Sequence, residues 1–151
     1  MNSIKKIKIS EDVKLGKNVS IIEPVNLYGC SIGNDCFIGP FVEIQKDVII
    51  GKNCKIQSHS FICELVEIGD DCFISHGVKF VNDKFQNGKR AHGDKNKWLE
   101  TKIGNKVLIG SNATILPVKI TSEVVIGAGS VVTKNISEKG IYAGNPAVKI
   151  K

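Results

Sequence analysis

The sequence predicts an all-β fold, a parallel β-helix built as a solenoid, on three observations. An aliphatic or aromatic residue recurs every six positions, residues 18 apart repeat one another's chemistry, and one long insertion interrupts the pattern. The ladder runs unbroken through Ile32, Ile38, Ile44, Ile50, Ile56, Ile62, Ile68, Ile74 and Phe80. A period of six is too short for a helical repeat and too regular for a β-sandwich. It is what short strands stacked coil upon coil produce.

The ladder extends backwards through Leu27, Ile21, Leu15 and Ile9, with a five-residue step from Leu27 to Ile32. Beyond the insertion it resumes at Ile103, Ile109 and Ile115, then takes a five-residue step to Ile120 and continues to Ile126 and Val132. Three hexads make one triangular coil. The first column is Leu15, Ile32, Ile50, Ile68, Ile103 and Ile120, and five of its members are followed by Gly16, Gly33, Gly51, Gly69 or Gly104. Glycine repeated at one corner predicts a backbone conformation there that a Cβ disfavours. Four residues after the column stand Val19, Cys36, Cys54, Cys72, Val107 and Val124, which reads as a stack of small inward hydrophobes. The second column, Ile21 to Ile126, sets Val25, Val42, Ser60, Val78, Ala113 and Ser130 inward. The third runs through Leu27, Ile44, Ile62, Phe80, Ile115 and Val132. Coils about 4.8 Å apart then satisfy each other's backbone groups without helices.

Composition narrows the function. The 151 residues, 42% hydrophobic but only 6% aromatic, suit one domain over 1–151 with a narrow aliphatic core. The net charge of +6 fits anionic small molecules, but no long basic arm and few aromatic residues accompany it, which argues against nucleic-acid binding. No apolar run is long enough for a membrane. The stretch Met1 to Ser10 alternates lysine with Ile4, Ile7 and Ile9 and does not resemble a signal peptide, so a cytoplasmic location is expected. The five cysteines lack C-x-x-C spacing, and His59, His76 and His92 have no paired spacing, so no metal is expected.

Chemistry is expected where the ladder stops. Phe80 should be followed by a ladder residue at Gln86, yet the next is Ile103, so an external loop of about 82–102 projects from one corner. It carries Lys84, Lys89, Arg90, Lys95, Lys97 and Lys102 together with the only tryptophan, Trp98. Long loops on rigid scaffolds often carry function. Glu64 and Asn82 each sit two places after a ladder residue and are 18 apart, which stacks them on adjacent coils with Asp83 alongside. His59 and His76 fall on successive coils of the adjoining face, staggered by one position, and His76 is expected near the loop. A carboxylate, an amide and imidazoles beside a basic loop make a small-molecule site.

The final turns read Ile109-Gly-Ser-Asn-Ala-Thr-Ile-Leu-Pro117, Ile126-Gly-Ala-Gly-Ser-Val-Val-Thr-Lys134 and Ala143-Gly-Asn-Pro-Ala147. Their small residues Gly110, Ala113, Gly127, Ala128 and Gly129 predict a smooth outer wall for an extended ligand. These phrases resemble the left-handed β-helix hexapeptide acyltransferases, in which they lie along the acetyl-CoA groove. The resemblance covers nearly the whole chain and supplies the handedness, since general crossover rules would point to a right-handed coil. It implies a homotrimer with active sites between subunits, acetyl-CoA as co-substrate, and cofactor contacts at Gly110, Ala113, Ala128, Lys134, Pro146 and Lys149.

More narrowly, His76-Gly-Val-Lys-Phe-Val-Asn-Asp-Lys-Phe85 and Trp98-Leu-Glu-Thr101 resemble the nucleotide-linked 3-amino-sugar N-acetyltransferases, which act on dTDP-3-amino-3,6-dideoxyhexoses or UDP-linked 3-amino-glucuronates. That resemblance implies that Glu64, Asn82 and Asp83 surround the sugar, and the positive charge of the loop leads to the expectation that Lys84 and Arg90 meet the diphosphate. Asn82 and His76 are the catalytic candidates, His76 because other acetyltransferases of this fold use a histidine, whereas the resemblance to this subgroup implies that the amine's proton passes towards the departing thiolate. The family's Pro-Arg after Asp-Lys-Phe is replaced here by Gln86-Asn87, leaving Arg90 as the substitute, and its glycine after Ile-Leu-Pro is missing after Pro117. The implied reaction is acetyl transfer from acetyl-CoA to the 3-amino group of a nucleotide sugar, with a dTDP-3-amino-3,6-dideoxyhexose preferred, for surface-polysaccharide synthesis. The alternatives are O-acetylation of a sugar, serine or antibiotic with a histidine base, and a non-catalytic β-helix scaffold.

Overall fold

The computed structural model describes residues 1–151. The chain winds into a left-handed parallel β-helix of about 7 turns. Its three faces are sheets of six, eight and six short strands. The first face carries Lys14–Leu15, Ser31–Ile32, Ile49–Ile50, Val66–Ile68, Thr101–Ile103 and Lys119–Ile120. The second runs from Ser20–Ile21 through Phe73–Ile74 to Val124–Ile126, and the third from Asn26–Leu27 through Phe61–Ile62 and Lys79–Phe80 to Val131–Val132.

The register is the one the columns predict. Ile32 pairs with Ile50, Ile38 with Ile56 and Ile44 with Ile62. Across the insertion Ile68 pairs with Ile103, Ile74 with Ile109 and Phe80 with Ile115, so the insertion shifts nothing in the stack. Each hexad turns two side chains inward, the ladder residue and the one two places before it. From Val25 onward the apolar residues at these positions, joined by Cys63 and Ile136, form one core of 31 buried residues, while Leu15 in the first coil stays exposed. Parallel strands buried on their inner face favour such branched aliphatics.

The cysteines belong to this core. All five are free and buried. The Cys36, Cys54 and Cys72 thiols donate to the carbonyls of Gly51, Gly69 and Gly104 on the next coil, each at 3.1 Å. Burial pushes the Cys30 thiol up to about 11 and the Cys63 thiol to about 12, so neither is a nucleophile near neutral pH.

The corner glycines act for a different reason from the one the sequence suggests. Positive φ falls two residues later, at Asn18 (55°), Asp35 (58°), Asn53 (55°) and Asp71 (57°). Asn and Asp tolerate that region, and here they also bond from coil to coil: Asn18 Nδ2 donates to Asp35 Oδ1 at 3.0 Å and Asn53 Nδ2 to Asp71 Oδ1 at 2.7 Å. The glycines permit close approach instead. A Cβ on Gly33 would lie 2.6 Å from the Gly51 carbonyl carbon and oxygen.

After the last full coil, Gly140–Ala143 adds in parallel to Val124–Ile126, and Val148–Lys149 returns antiparallel against it. The turn between them is held to the third face, where Val131 N donates to Gly144 O at 2.9 Å and Val131 O accepts from Ala147 N at 2.8 Å.

Gly33→Ala forces backbone against backbone and should cost about 1–3 kcal/mol. In a domain of this size that is a fall in Tm of several degrees, roughly 2–4 °C per kcal/mol, read by thermal circular dichroism. A Gly33→Ala variant as stable as the parent would contradict the close-approach account.

Candidate functional site

The insertion leaves the corner between the third and first faces, directly after Lys79–Phe80, and the coil resumes at Thr101, which pairs with Val66. Residues 101 and 102 therefore belong to the first face, and the external loop is slightly shorter than the spacing predicts. Two backbone bonds close its base: Leu99 N to Asn82 O at 2.9 Å and Thr101 N to Leu65 O at 3.0 Å.

The loop is folded. Asp83 organises it by accepting from Phe85 N at 2.9 Å and from Ala91 N at 2.8 Å. Single 3₁₀ turns form at Gln86–Gly88 and Lys95–Lys97, and Asp94 Oδ1 accepts from Asn96 N at the start of the second. The donors from Ala91 and Phe85 hold the Asp83 carboxyl below its ordinary range, with His92 and Lys97 adding to the effect. Asp83, Arg90, Ala91, His92, Gly93 and Trp98 line an open cleft of about 410 Å³. Lys84 is exposed beside it.

Beneath the loop, the stacking of Glu64 and Asn82 is as predicted. Asn82 Nδ2 donates to the Glu64 carbonyl at 3.2 Å. The Glu64 side chain is 14% exposed and its Oε2 lies 2.7 Å from Lys95 Nζ. The Lys95 ammonium is held above its ordinary range by that hydrogen bond and charge. Sequence reasoning missed what lies behind Glu64. Its backbone N–H donates to Gln45 Oε1 at 3.3 Å, and Gln45 Nε2 donates to Glu43 Oε1 at 3.0 Å. Asn26 Nδ2 reaches Glu43 Oε2 at 3.3 Å, and Tyr28 Oη reaches Glu43 Oε1 at 3.5 Å. Burial, then the Glu43 and Glu64 charges, raise the Tyr28 hydroxyl above its ordinary value. The signal was available, because Asn26 and Glu43 face outward at successive levels of one column.

His76 does not join this group. It stands at the other edge of the third face, in the turn after Phe73–Ile74, with Lys79–Phe80 between it and Asn82. The expected nearness to the loop holds in sequence but not across the face, because each strand of the triangle separates two corners. His76 Nδ1 lies 2.9 Å from Ser58 Oγ on the preceding coil. His59, one place on in its own turn, stacks on Phe41 with ring centroids 4.9 Å apart, and its carbonyl accepts from Lys79 Nζ. The stagger predicted for the two histidines is thus real and keeps their rings in different stacks.

Gly110 and Ala128 lie at the His76 corner, so tightly stacked that a Cβ on Gly110 would be 2.4 Å from Ala128 N. Ala128 is exposed and can line a groove. Ala113 cannot: it is fully buried, and its carbonyl is taken by Lys79 N, so its place is the core rather than the outer wall. Lys134 is exposed two places after Val132, in the column of Asn82. Pro146 is exposed in the C-terminal turn, and Lys149 Nζ is engaged by Glu138 Oε2 at 3.0 Å. The cofactor candidates are therefore spread over two corners and the C-terminal extension. No group of three His, Cys, Asp or Glu is placed to hold a metal ion, and no helix is long and apolar enough to cross a membrane.

Residues 29–64 match the family described as "Bacterial transferase hexapeptide (six repeats)", and residues 100–134 match "Hexapeptide repeat of succinyl-transferase". The chain carries the hexapeptide repeat of the bacterial transferases, and the solved structures it resembles include acyltransferases built on it. The chain is 27% identical to a variant of AntD, an N-acyltransferase from Bacillus cereus solved with dTDP and coenzyme A. That likeness has a TM-score of 0.80 and covers 91% of this chain and 82% of that one. A maltose O-acetyltransferase from Clostridium difficile 630 is 25% identical at a TM-score of 0.57, covering 91% of this chain and 68% of its own. Among curated relatives, the bifunctional protein GlmU of Clostridium acetobutylicum is 36% identical over 132 residues. This chain covers 25% of that relative's length, with 87% of its own residues matched.

The Asp83 clamp gives a pH-resolved test. A carboxylate whose pKa is depressed on folding contributes above its unfolded value, near 4, and loses that contribution as pH falls through the folded one. Loop order should therefore be constant from about pH 5 to 8. Asp83→Ala should expose Lys84, Lys89 and Arg90 to trypsin at pH 8 while the coil stays intact. Equal cleavage of variant and parent would show that the clamp does not order the loop.

Proposed function

We propose that the protein is a cytoplasmic N-acetyltransferase that moves the acetyl group of acetyl-CoA to the 3-amino group of a nucleotide-linked amino sugar, with a dTDP-3-amino-3,6-dideoxyhexose preferred and surface polysaccharide as the destination. One observation carries the reading. A folded basic loop sits over the Glu64–Asn82 corner of a coil that shares a TM-score of 0.80 with an N-acyltransferase solved with dTDP and coenzyme A.

In this reading Glu64 and Asn82 orient the sugar, Asp83 shapes the loop around it, and Lys84 and Arg90 neutralise the diphosphate. The sugar nitrogen attacks the thioester carbonyl, the N–C bond forms and the C–S bond breaks. The proton lost by nitrogen passes to the departing thiolate sulfur. A backbone N–H on the outer wall near Gly110 and Ala128 stabilises the oxyanion. Because Gly110 and Ala128 lie across the third face from the loop, we place the complete site between copies in a homotrimer, where the loop of one copy meets the His76 corner of the next.

A second reading, O-acetylation with a histidine base, is favoured by one contact. Ser58 engages His76 Nδ1 at 2.9 Å, and in the tautomer that carries its proton on Nδ1 this leaves Nε2 as a proton acceptor.

Thiol release from acetyl-CoA, measured over dTDP- and UDP-linked 3-amino sugars, separates the readings. The first expects turnover with an amino sugar, a fall of about 10- to 100-fold in kcat for Asn82→Ala with the oligomer intact, and most activity kept by His76→Ala. Complete loss in His76→Ala, with acetylation of a hydroxyl acceptor, supports the second reading. A folded oligomer that acetylates no acceptor supports the scaffold.

A further inference from the structure

We propose that Lys95 is a built-in occupant of the acceptor's amine subsite. Its ammonium rests on Glu64 in the free protein and leaves when the cationic amine of the substrate takes its place, so Glu64 selects an amine over a hydroxyl at the position to be acetylated. The inference rests on the reading of the loop-bearing corner as the acceptor site.

The pair is asymmetric. Glu64 is 14% exposed and Lys95 is 55% exposed. Lys95 is the only side chain that engages the Glu64 carboxylate, at 2.7 Å, while the backbone of the same residue is fixed by Gln45 and Asn82. The carboxylate is thus a stationary, mostly covered anion, and the ammonium is the mobile member. Losing the partner is inexpensive for Lys95, which returns to water. For Glu64 it leaves a largely desolvated charge without a counter-ion. A ligand that enters this corner must replace the cation it displaces. An amine carrying a proton does so, and a hydroxyl does not, so the site discriminates by the penalty of an unpaired charge.

The loop is built so that Lys95 can let go without unfolding. Its base is closed by Leu99 N to Asn82 O and Thr101 N to Leu65 O, its first half by Asp83, and its second 3₁₀ turn by Asp94 on Asn96 N. None of these bonds involves the Lys95 side chain. Trp98 lies beside the pair, with its ring centroid 5.7 Å from Lys95 Nζ, and offers an aromatic face to whichever cation is present. Once bound, the substrate nitrogen gives one proton to solvent and attacks as the neutral amine.

Calorimetric titration tests this, with a dTDP-linked 3-amino-3,6-dideoxyhexose and its 3-hydroxy counterpart as ligands and the parent, Lys95→Met, Glu64→Gln and the double variant as hosts. Lys95→Met keeps the apolar stem and removes the competitor. It should tighten the amino ligand about two- to fivefold, the range open to a solvent-exposed ion pair, and leave the hydroxy ligand weaker than the amino one. Glu64→Gln should weaken the amino ligand at least about tenfold and abolish the preference. In the Glu64→Gln background, Lys95→Met should change nothing, because the two effects act through one contact. Weaker or unchanged binding in Lys95→Met overturns the placeholder, and so does an undiminished Lys95→Met effect in the double variant. A parent that binds amino and hydroxy ligands equally overturns the selection by Glu64. A parent that binds neither ligand overturns the acceptor-site reading itself, and the placeholder with it.

Discussion

The hydrogen-bond ladder between successive coils places every side chain of the β-helix. Each two-residue strand pairs only with the strands above and below it, so the coil has no freedom to slip by one residue without exposing its inward column. Close approach at the glycine corners, where a Cβ on Gly33 would strike the Gly51 carbonyl, keeps the ladder short enough to hold. The insertion tests this constraint, and the stack absorbs it: Ile68 and Ile103 meet as directly as Ile32 and Ile50 do. A rigid column with one excursion can therefore present chemistry at a defined point, although its strands are too short for any of them to fold alone.

Much of this is legible in the sequence because the register is arithmetic. A period of 18 puts Asn82 over Glu64, and the structure has the amide bonding to that residue's carbonyl. The same arithmetic identifies the cysteines as core, where they sit with their thiols on the next coil's carbonyls. It fails where a residue's direction rather than its level matters. Ala113 follows the inward column and is buried, so the outer-wall contact expected of it cannot exist. Position along the chain also misled for His76, which is six residues from Asn82 but belongs to another corner, because one side of the triangle lies between them. The corner glycines show a third limit. Their repetition is visible in sequence, but whether φ or proximity demands them is a property of the neighbouring coil.

The loop's interior was beyond the repeat. No periodicity predicts that Asp83 would serve as its organiser by accepting from Phe85 and Ala91, or that Lys95 would reach back to Glu64. Nor do the columns expose the chain of polar contacts from Tyr28 and Glu43 through Gln45 to Glu64, which stiffens the floor of the candidate site. These contacts join residues on three coils and give Glu64 a fixed backbone under a replaceable partner. The floor belongs to the scaffold, and few contacts join the loop to it: the backbone bonds of Asn82, Leu65, Leu99 and Thr101, the Lys95–Glu64 pair and the Glu100–Lys102 pair at 3.9 Å.

Excision of the loop tests whether the scaffold stands without it. Leu99 N already bonds to Asn82 O, so residues 83–98 can be replaced by a two-residue turn without reopening the coil. Nucleotide-sugar and coenzyme A binding are then measured on the same sample by calorimetry. The expected result is an intact β-helix by circular dichroism, coenzyme A binding close to that of the parent, and no detectable binding of the nucleotide sugar. Loss of the fold, or nucleotide-sugar binding that survives the excision, would contradict it.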